Sequence, residues 1–179
     1  FKVMKIIKTK FKGLFIIKQI VNKDSRGYLR ETFNEKILNK KFNFEYFTNS
    51  KRNVLRGFHF QEKYHQSKYV NVLKGKILDC VVDLRKNSKT FGKSFKIILS
   101  KENSLGLFIP RGFAHAYYSY DKENIIYYKL DNFYKPNLER GIIWNDKKIN
   151  IKWPTKNPIV SFKDKKLPNL EFYLKKKNR

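Results

Sequence analysis

Short runs of β-branched and aromatic residues follow one another along this chain, each stopped by a turn before a long helix could form. Gly13–Ile20, Tyr28–Phe33, Val54–Gln61, Ser94–Leu99 and Leu105–Ile109 are such runs. Val21-Asn22-Lys23 carries the chain out of the first, and Asp24-Ser25-Arg26-Gly27 turns it into the second. Lys68–Lys74 and Lys76–Leu84 flank Gly75 and read as a hairpin. Ala114–Tyr120 and Ile125–Leu130 read as a second pair across the polar tip Asp121-Lys122-Glu123-Asn124. Within Lys76–Leu84, Leu78, Cys80, Val82 and Leu84 share one face, and Asp79, Val81 and Asp83 the other. The pattern predicts an all-β sandwich or barrel. One helix is expected, over Asn34–Phe42, with Asn34 as its cap. Ser50-Lys51-Arg52-Asn53 then reads as a turn. From Tyr134 onward, prolines at 136, 154, 158 and 168 predict an irregular wrap with short strands and a polar, fraying end.

At 179 residues the chain is expected to be one domain, residues 1–179, with a sizeable core. Aromatic residues make up 16%, which argues against disorder despite the charge. No apolar run reaches the length of a transmembrane helix, and the lysine-broken N-terminus does not read as a signal peptide. The single cysteine, Cys80, permits no intrachain disulfide and sits in a buried-strand pattern; it fits a reducing cytoplasm and a structural role. The net charge of +26 would draw nucleic acid or a phosphorylated substrate. The lysines are scattered, however, as on a solvated face, so nucleic acid is the weaker expectation.

The chemistry is expected in Val54-Leu55-Arg56-Gly57-Phe58-His59-Phe60-Gln61 and the following Gln66-Ser67-Lys68-Tyr69. His59 is one of only three histidines and lies between Arg56 and Lys68. A neutral imidazole beside fixed cations suits a general base acting on an anionic substrate. Taken alone, the stretch fits a structural histidine equally well. Arg56 and His59 have opposite parity, so they share a cavity only if Gly57 permits a bulge or twist. Metal binding is not expected: His59 and His65 lack the usual His-x-His spacing, and Lys68 would repel a cation.

Val54–Gln61, Val82-Asp83-Leu84-Arg85, Thr90-Phe91-Gly92, Ile109-Pro110-Arg111-Gly112-Phe113-Ala114-His115, Gly141-Ile142-Ile143-Trp144-Asn145-Asp146, Ile151-Lys152-Trp153-Pro154 and Ser161-Phe162-Lys163-Asp164 occur in this order. Together they resemble the dTDP-4-dehydrorhamnose 3,5-epimerase family of nucleotide-sugar enzymes, over roughly Gly13 to Pro168. The resemblance implies a cupin-type β-barrel (jelly roll) with short peripheral helices, no cofactor or metal, and a homodimer that exchanges N-terminal strands. It implies inversion of carbons next to the ketone of a nucleotide-linked 4-keto-6-deoxy sugar. Matched by motif, His59 is the base, Asp164 its orienting partner, Tyr128 the acid (with Tyr127 its neighbour), and Lys68 the cation at the C4 oxygen. Arg56 and His115 match residues near the diphosphate, Tyr134 an aromatic near the nucleotide, and Arg26 and Glu31 partner-facing substrate contacts.

The chain departs from the family where a Gln-Asp-Asn type segment is usual and Phe44-Glu45-Tyr46-Phe47 stands instead. His115 is followed by Ala116-Tyr117 in place of a Gly-Phe pair. The nucleotide, the hexose or heptose nature of the sugar, and inversion at one centre or two stay open. A 3,4-ketoisomerase on a related barrel and a basic nucleic-acid-binding β-barrel are the rival readings.

Overall fold

The computed structural model describes residues 3–176. Phe1-Lys2 and residues 177–179, on which the fraying end was expected to fall, lie outside the described residues. Two sheets face each other. The six-stranded sheet runs in the order β1 (Lys5–Lys8), β2 (Phe15–Lys18), β10 (Leu105–Ile109), β7 (Lys68–Lys74), β12 (Glu123–Leu130), β5 (Phe44–Lys51). The five-stranded sheet runs β13 (Glu139–Gly141), β6 (Leu55–Gln61), β11 (Phe113–Ser119), β8 (Lys76–Asp83), β9 (Ser94–Ser100). A separate hairpin pairs β3 (Ile20–Asp24) with β4 (Gly27–Glu31). Val21-Asn22-Lys23, read from the sequence as an exit from a strand, therefore lies inside one. No helix among the described residues is long and apolar enough to cross a membrane.

The two expected hairpins do not form. β7 pairs with β10 and β12, whereas β8 pairs with β11 and β9. Likewise β11 and β12 lie in different sheets. The physical reason is burial on both faces. From Ile77 to Asp83 every residue of β8 is buried, and so are Tyr69–Val72 of β7. Each strand is thus central in its own sheet, with no free edge for the other. Gly75, at φ +79°, turns the chain from one sheet to the other. A Cβ there would come within 2.6 Å of the Asn124 side-chain oxygen.

The alternation read along β8 holds. Ile77 and Val81 point between the sheets, where they meet Val70, Val72, Leu107 and Ile126. Leu78, Cys80 and Val82 point outward and are covered by Ile142, Leu170 and Tyr173 of the C-terminal wrap. That wrap ends in helix α3 (Leu170–Lys176), which the sequence reading missed. The Tyr173 hydroxyl donates to the Gly141 carbonyl at 2.9 Å, fastening α3 to the sheet. The predicted helix at Asn34–Phe42 shrinks to one turn, α1 (Glu35–Leu38). Asn34 caps it by accepting from Lys36 N and Ile37 N, and Asn39, left-handed at φ 49°, stops it. Ser50 and Lys51, read as part of a turn, end strand β5.

Candidate active site

Gly57 decides where the side chains of β6 point. Along the β6–β11 pairing, His59 lies opposite His115 but Arg56 lies opposite Tyr117, so β6 carries one extra residue. Gly57 sits at φ +108°. A Cβ on it would press on the His115 carbonyl oxygen and come within 2.8 Å of the Ala116 Cα. The bulge required by parity is present. It lets Arg56 reach across to β5, where its Nε donates to Ser50 Oγ at 3.2 Å, while His59 also faces the space between the sheets.

His59 is held by Asp164, at 2.7 Å from Nε2 to Oδ1. The other carboxylate oxygen accepts from the Gly57 amide at 3.2 Å. Asp164 is buried on the short helix α2 (Phe162–Lys165), whose Ser161 cap accepts from the Asp164 amide at 3.1 Å. Burial alone would raise this carboxyl's pKa. The hydrogen bonds and charge of His59, with help from the Gly57 amide and Ser161, hold it below the ordinary range. A carboxylate can only accept, so in the neutral ring Nε2 carries the hydrogen and Nδ1 keeps a lone pair. Nδ1 has no hydrogen-bond partner among the described residues. A lone pair there can accept a proton.

The opposite wall belongs to the six-stranded sheet. Lys68 on β7 lines the cleft with His59, Tyr46, Gln66, Tyr134 and Glu139. Burial lowers its ammonium to about 8, against the upward pull of Glu139 and Asp79. Tyr128 on β12 is buried and points inward, and burial, above all, raises its hydroxyl well above the usual value. Tyr127 points the other way, donating to Glu45 at 2.6 Å on the outer face. The pleat puts Tyr128 on the inward face and Tyr127 on the outer one.

Deeper in the barrel, His115 Nε2 lies 2.8 Å from Asp79 Oδ2, both buried. Burial pushes the Asp79 carboxyl up; the charges of His115 and Lys68 oppose this. At the mouth, the Tyr134 hydroxyl donates to Glu139 at 3.0 Å, and Lys163 pairs with the same carboxylate. Burial would raise Glu139, but Lys163, His59 and Tyr134 outweigh it and hold it low. Asp79, Glu139, Lys163 and Tyr46 were not singled out as site residues in the sequence. Asp79 could have been found, because a carboxylate flanked by Ile77 and Val81 on the inward face of β8 needs a partner. Glu139 offers no such signal. Arg26 and Glu31 are not brought into the cleft of their own chain. Arg26 pairs with Asp24 at the hairpin tip with its side chain 88% exposed, and Glu31 accepts from Asn34 Nδ2 at 2.9 Å. A larger cavity behind Phe60, lined by Leu84, Tyr173 and Leu174, lacks His59, Lys68 and Tyr128. Among the described residues no three His, Cys, Asp or Glu side chains converge as a metal site would require.

The family profile of dTDP-4-dehydrorhamnose 3,5-epimerase matches residues 8–171. The chain belongs to this family. The dTDP-4-dehydrorhamnose 3,5-epimerase of Shigella flexneri is 44% identical over 168 residues, covering 90% of this chain and 93% of that protein. The crystal structure of the Bacillus anthracis epimerase with TDP and pyrophosphate bound superposes with a TM-score of 0.91 at 36% identity, over 94% of this chain and all of that one. The Legionella pneumophila 3,5-epimerase, in complex with dTDP-4-keto-L-rhamnose, gives 0.90 at 36% identity over 94% of both chains. The two facing sheets are therefore the cupin-like barrel of the 3,5-epimerases, and the short helices lie at its periphery.

Proposed function

We propose that the chain epimerises a dTDP-linked 4-keto-6-deoxy sugar at the carbons flanking the ketone. The observation that carries this reading is the placement of base and acid on facing walls. His59, oriented by Asp164, stands on the five-stranded sheet; Lys68 and Tyr128 stand on the six-stranded sheet. A sugar ring between them presents one face to a base and the other to an acid, as inversion requires.

A ketone at C4 acidifies the hydrogens on C3 and C5, because the carbanion delocalises into an enolate. His59 Nδ1 takes the proton; the C–H electron pair becomes the enolate C=C bond, and the charge moves to the C4 oxygen. Lys68 stabilises that oxyanion in a cleft where little water screens it. Tyr128, kept protonated by burial, returns a proton to the opposite face, the carbonyl re-forms, and the phenolate regains a proton from solvent. Arg56 and His115 are assigned to the diphosphate and Tyr134 to the base of the nucleotide. We also infer a homodimer in which Arg26 and Glu31 serve the partner's cleft. The exposed hairpin bearing Tyr28 and Leu29 supports this, and a monomeric mass in light scattering would overturn it.

Proton NMR in heavy water, with dTDP- and GDP-linked 4-keto-6-deoxy sugars, tests the function. Loss of the C3 and C5 signals with the dTDP sugar is expected. Loss of one signal alone would make it a single-centre epimerase, and a new 3-keto spectrum would replace epimerisation with ketoisomerisation.

Lys68 supplies a pH test. It is a cation at pH 7 and loses its charge as pH rises through about 8, so kcat falls over that interval. Lys68→Met is expected to lose about 10²–10³-fold in kcat and to abolish this alkaline limb. Stability moves the other way. The folded pKa lies below the unfolded one, so the unfolded chain binds more protons between them and stability rises with pH in that window. The Met variant should therefore be at least as stable as the parent at pH 7, as thermal melts at that pH would check.

A further inference from the structure

We propose that Tyr117 is a positioning residue for the acid: its hydroxyl completes a directed chain of hydroxyls, from Arg56 to Tyr128, that stabilises the phenolate Tyr128 becomes. This rests on the epimerase reading above. Tyr117 stands where the chain departs from its family's Gly-Phe pair, so its hydroxyl is what a phenylalanine there would lack. It rises from β11 in the five-stranded sheet and reaches the inward face of β5 in the other. There its oxygen lies 2.8 Å from Ser50 Oγ and 3.0 Å from Thr48 Oγ1. Ser50 Oγ in turn accepts from Arg56 Nε at 3.2 Å.

Hydrogen-bond accounting gives the chain its direction. Arg56 can only donate, so Ser50 receives from it and keeps its own hydrogen to give. Ser50 is buried, and the Tyr117 oxygen is the one acceptor its hydrogen meets among the described residues. Tyr117, equally buried, then gives its hydrogen to Thr48. The Thr48 hydrogen is left over. Thr48 shares one face of β5 with Tyr46 and Ser50, and Tyr46 is the direct register partner of Tyr128 on β12. Thr48 is therefore the diagonal neighbour of Tyr128 on the inward face, and its hydroxyl bonds to that phenol.

A buried phenol is a reluctant acid. Burial raises the Tyr128 hydroxyl most, with Tyr117, Tyr46 and Asp79 adding to it, and the Thr48 hydrogen bond acts in the opposite direction. As the Tyr128 O–H bond breaks, the enolate C=C pair forms the new C–H bond and the C4 carbonyl returns. Each hydroxyl of the chain then donates toward the charge left on the phenol oxygen, and Arg56 backs the series with a fixed cation. The terminal nitrogens of Arg56 make no hydrogen bond to protein among the described residues, which leaves them for the diphosphate assigned to this side chain. A substrate bound there holds the far end of the chain that serves the acid.

Tyr117→Phe removes only the hydroxyl, and Thr48→Val removes the last donor of the chain. Each is given the dTDP-linked 4-keto-6-deoxyhexose in heavy water, with deuterium incorporation and product configuration followed separately. Proton removal by His59 does not pass through the chain, so exchange should stay within about 3-fold of the parent in both variants. Inversion should fall by about 10-fold or more at unchanged KM, because the acid step loses its stabilised phenolate. The waiting enolate takes a deuteron back from His59, and exchanged but uninverted sugar accumulates. In a Tyr128→Phe background, Tyr117→Phe should cost no further inversion. A parental ratio of inversion to exchange, in either variant folded as the parent is by circular dichroism, would overturn the proposal. So would equal slowing of exchange and inversion, which is the signature of disturbed packing. A parent enzyme that exchanges neither position would instead sink the epimerase reading itself, and this proposal with it.

Discussion

His59→Ala is expected to fold as the parent does and to lose about 10³–10⁴-fold in kcat, with exchange at both sugar carbons falling together. The loss is large because His59 is, among the described residues, the only histidine lining the cleft, and the one carboxylate there on that sheet, Glu139, is bonded to Tyr134 and Lys163. His115, the other inward-facing histidine, is already tied to Asp79. Folding should survive because the His59 side chain is 28% exposed and its removal leaves Asp164 still bonded to the Gly57 amide and to its cap. The stability cost is then about 1–2 kcal/mol, for one lost hydrogen bond to a buried carboxylate. Matching circular dichroism spectra beside lost exchange would support this; full activity would remove His59 from the mechanism.

Gly57→Ala should have the largest effect on the fold of any single methyl group added to the chain's site. Two independent penalties meet there: a positive φ, costing about 1–2 kcal/mol for a residue with a side chain, and collision with the backbone of β11. Together they imply about 3 kcal/mol or more, readable as a lower urea midpoint at unchanged slope. Activity should fall as well. Relief of the clash requires β6 and β11 to part, and those strands carry His59 and His115. A variant as stable and as active as the parent would show that the bulge is not needed.

Most of the longer strands were legible in the sequence because alternation, as in β8 and β12, is a local property; β1, β5 and β13 were not. The sheet partners were not. A glycine between two apolar runs is compatible both with a tight hairpin and with a corner between sheets. Only the burial of β7 and β8 on both faces decides between them, and burial is a property of the assembled barrel. The same division holds in the site. His59, Lys68 and Tyr128 carry their signal in their own neighbourhood, through motif and parity. Glu139 and Tyr46 become part of the cleft because β13 and β5 bring them there, and the sequence reading placed no strand over Phe44–Lys51. The one-turn helix at Glu35–Leu38 was overextended for a simpler reason: Asn39 adopts a left-handed conformation that no periodicity announces.

The bond between His59 and Asp164 spans 105 residues of chain. β6, which carries His59, takes its neighbours from β11 and β13, both encoded far downstream. A chain emerging from the ribosome can thus build much of the six-stranded wall while His59 remains unoriented. The two ends of the dyad meet only after a long, entropically costly closure. Catalytic competence is therefore a late property of biosynthesis. A chain cut after β12 would retain most barrel strands and still lack the carboxylate that aims its histidine.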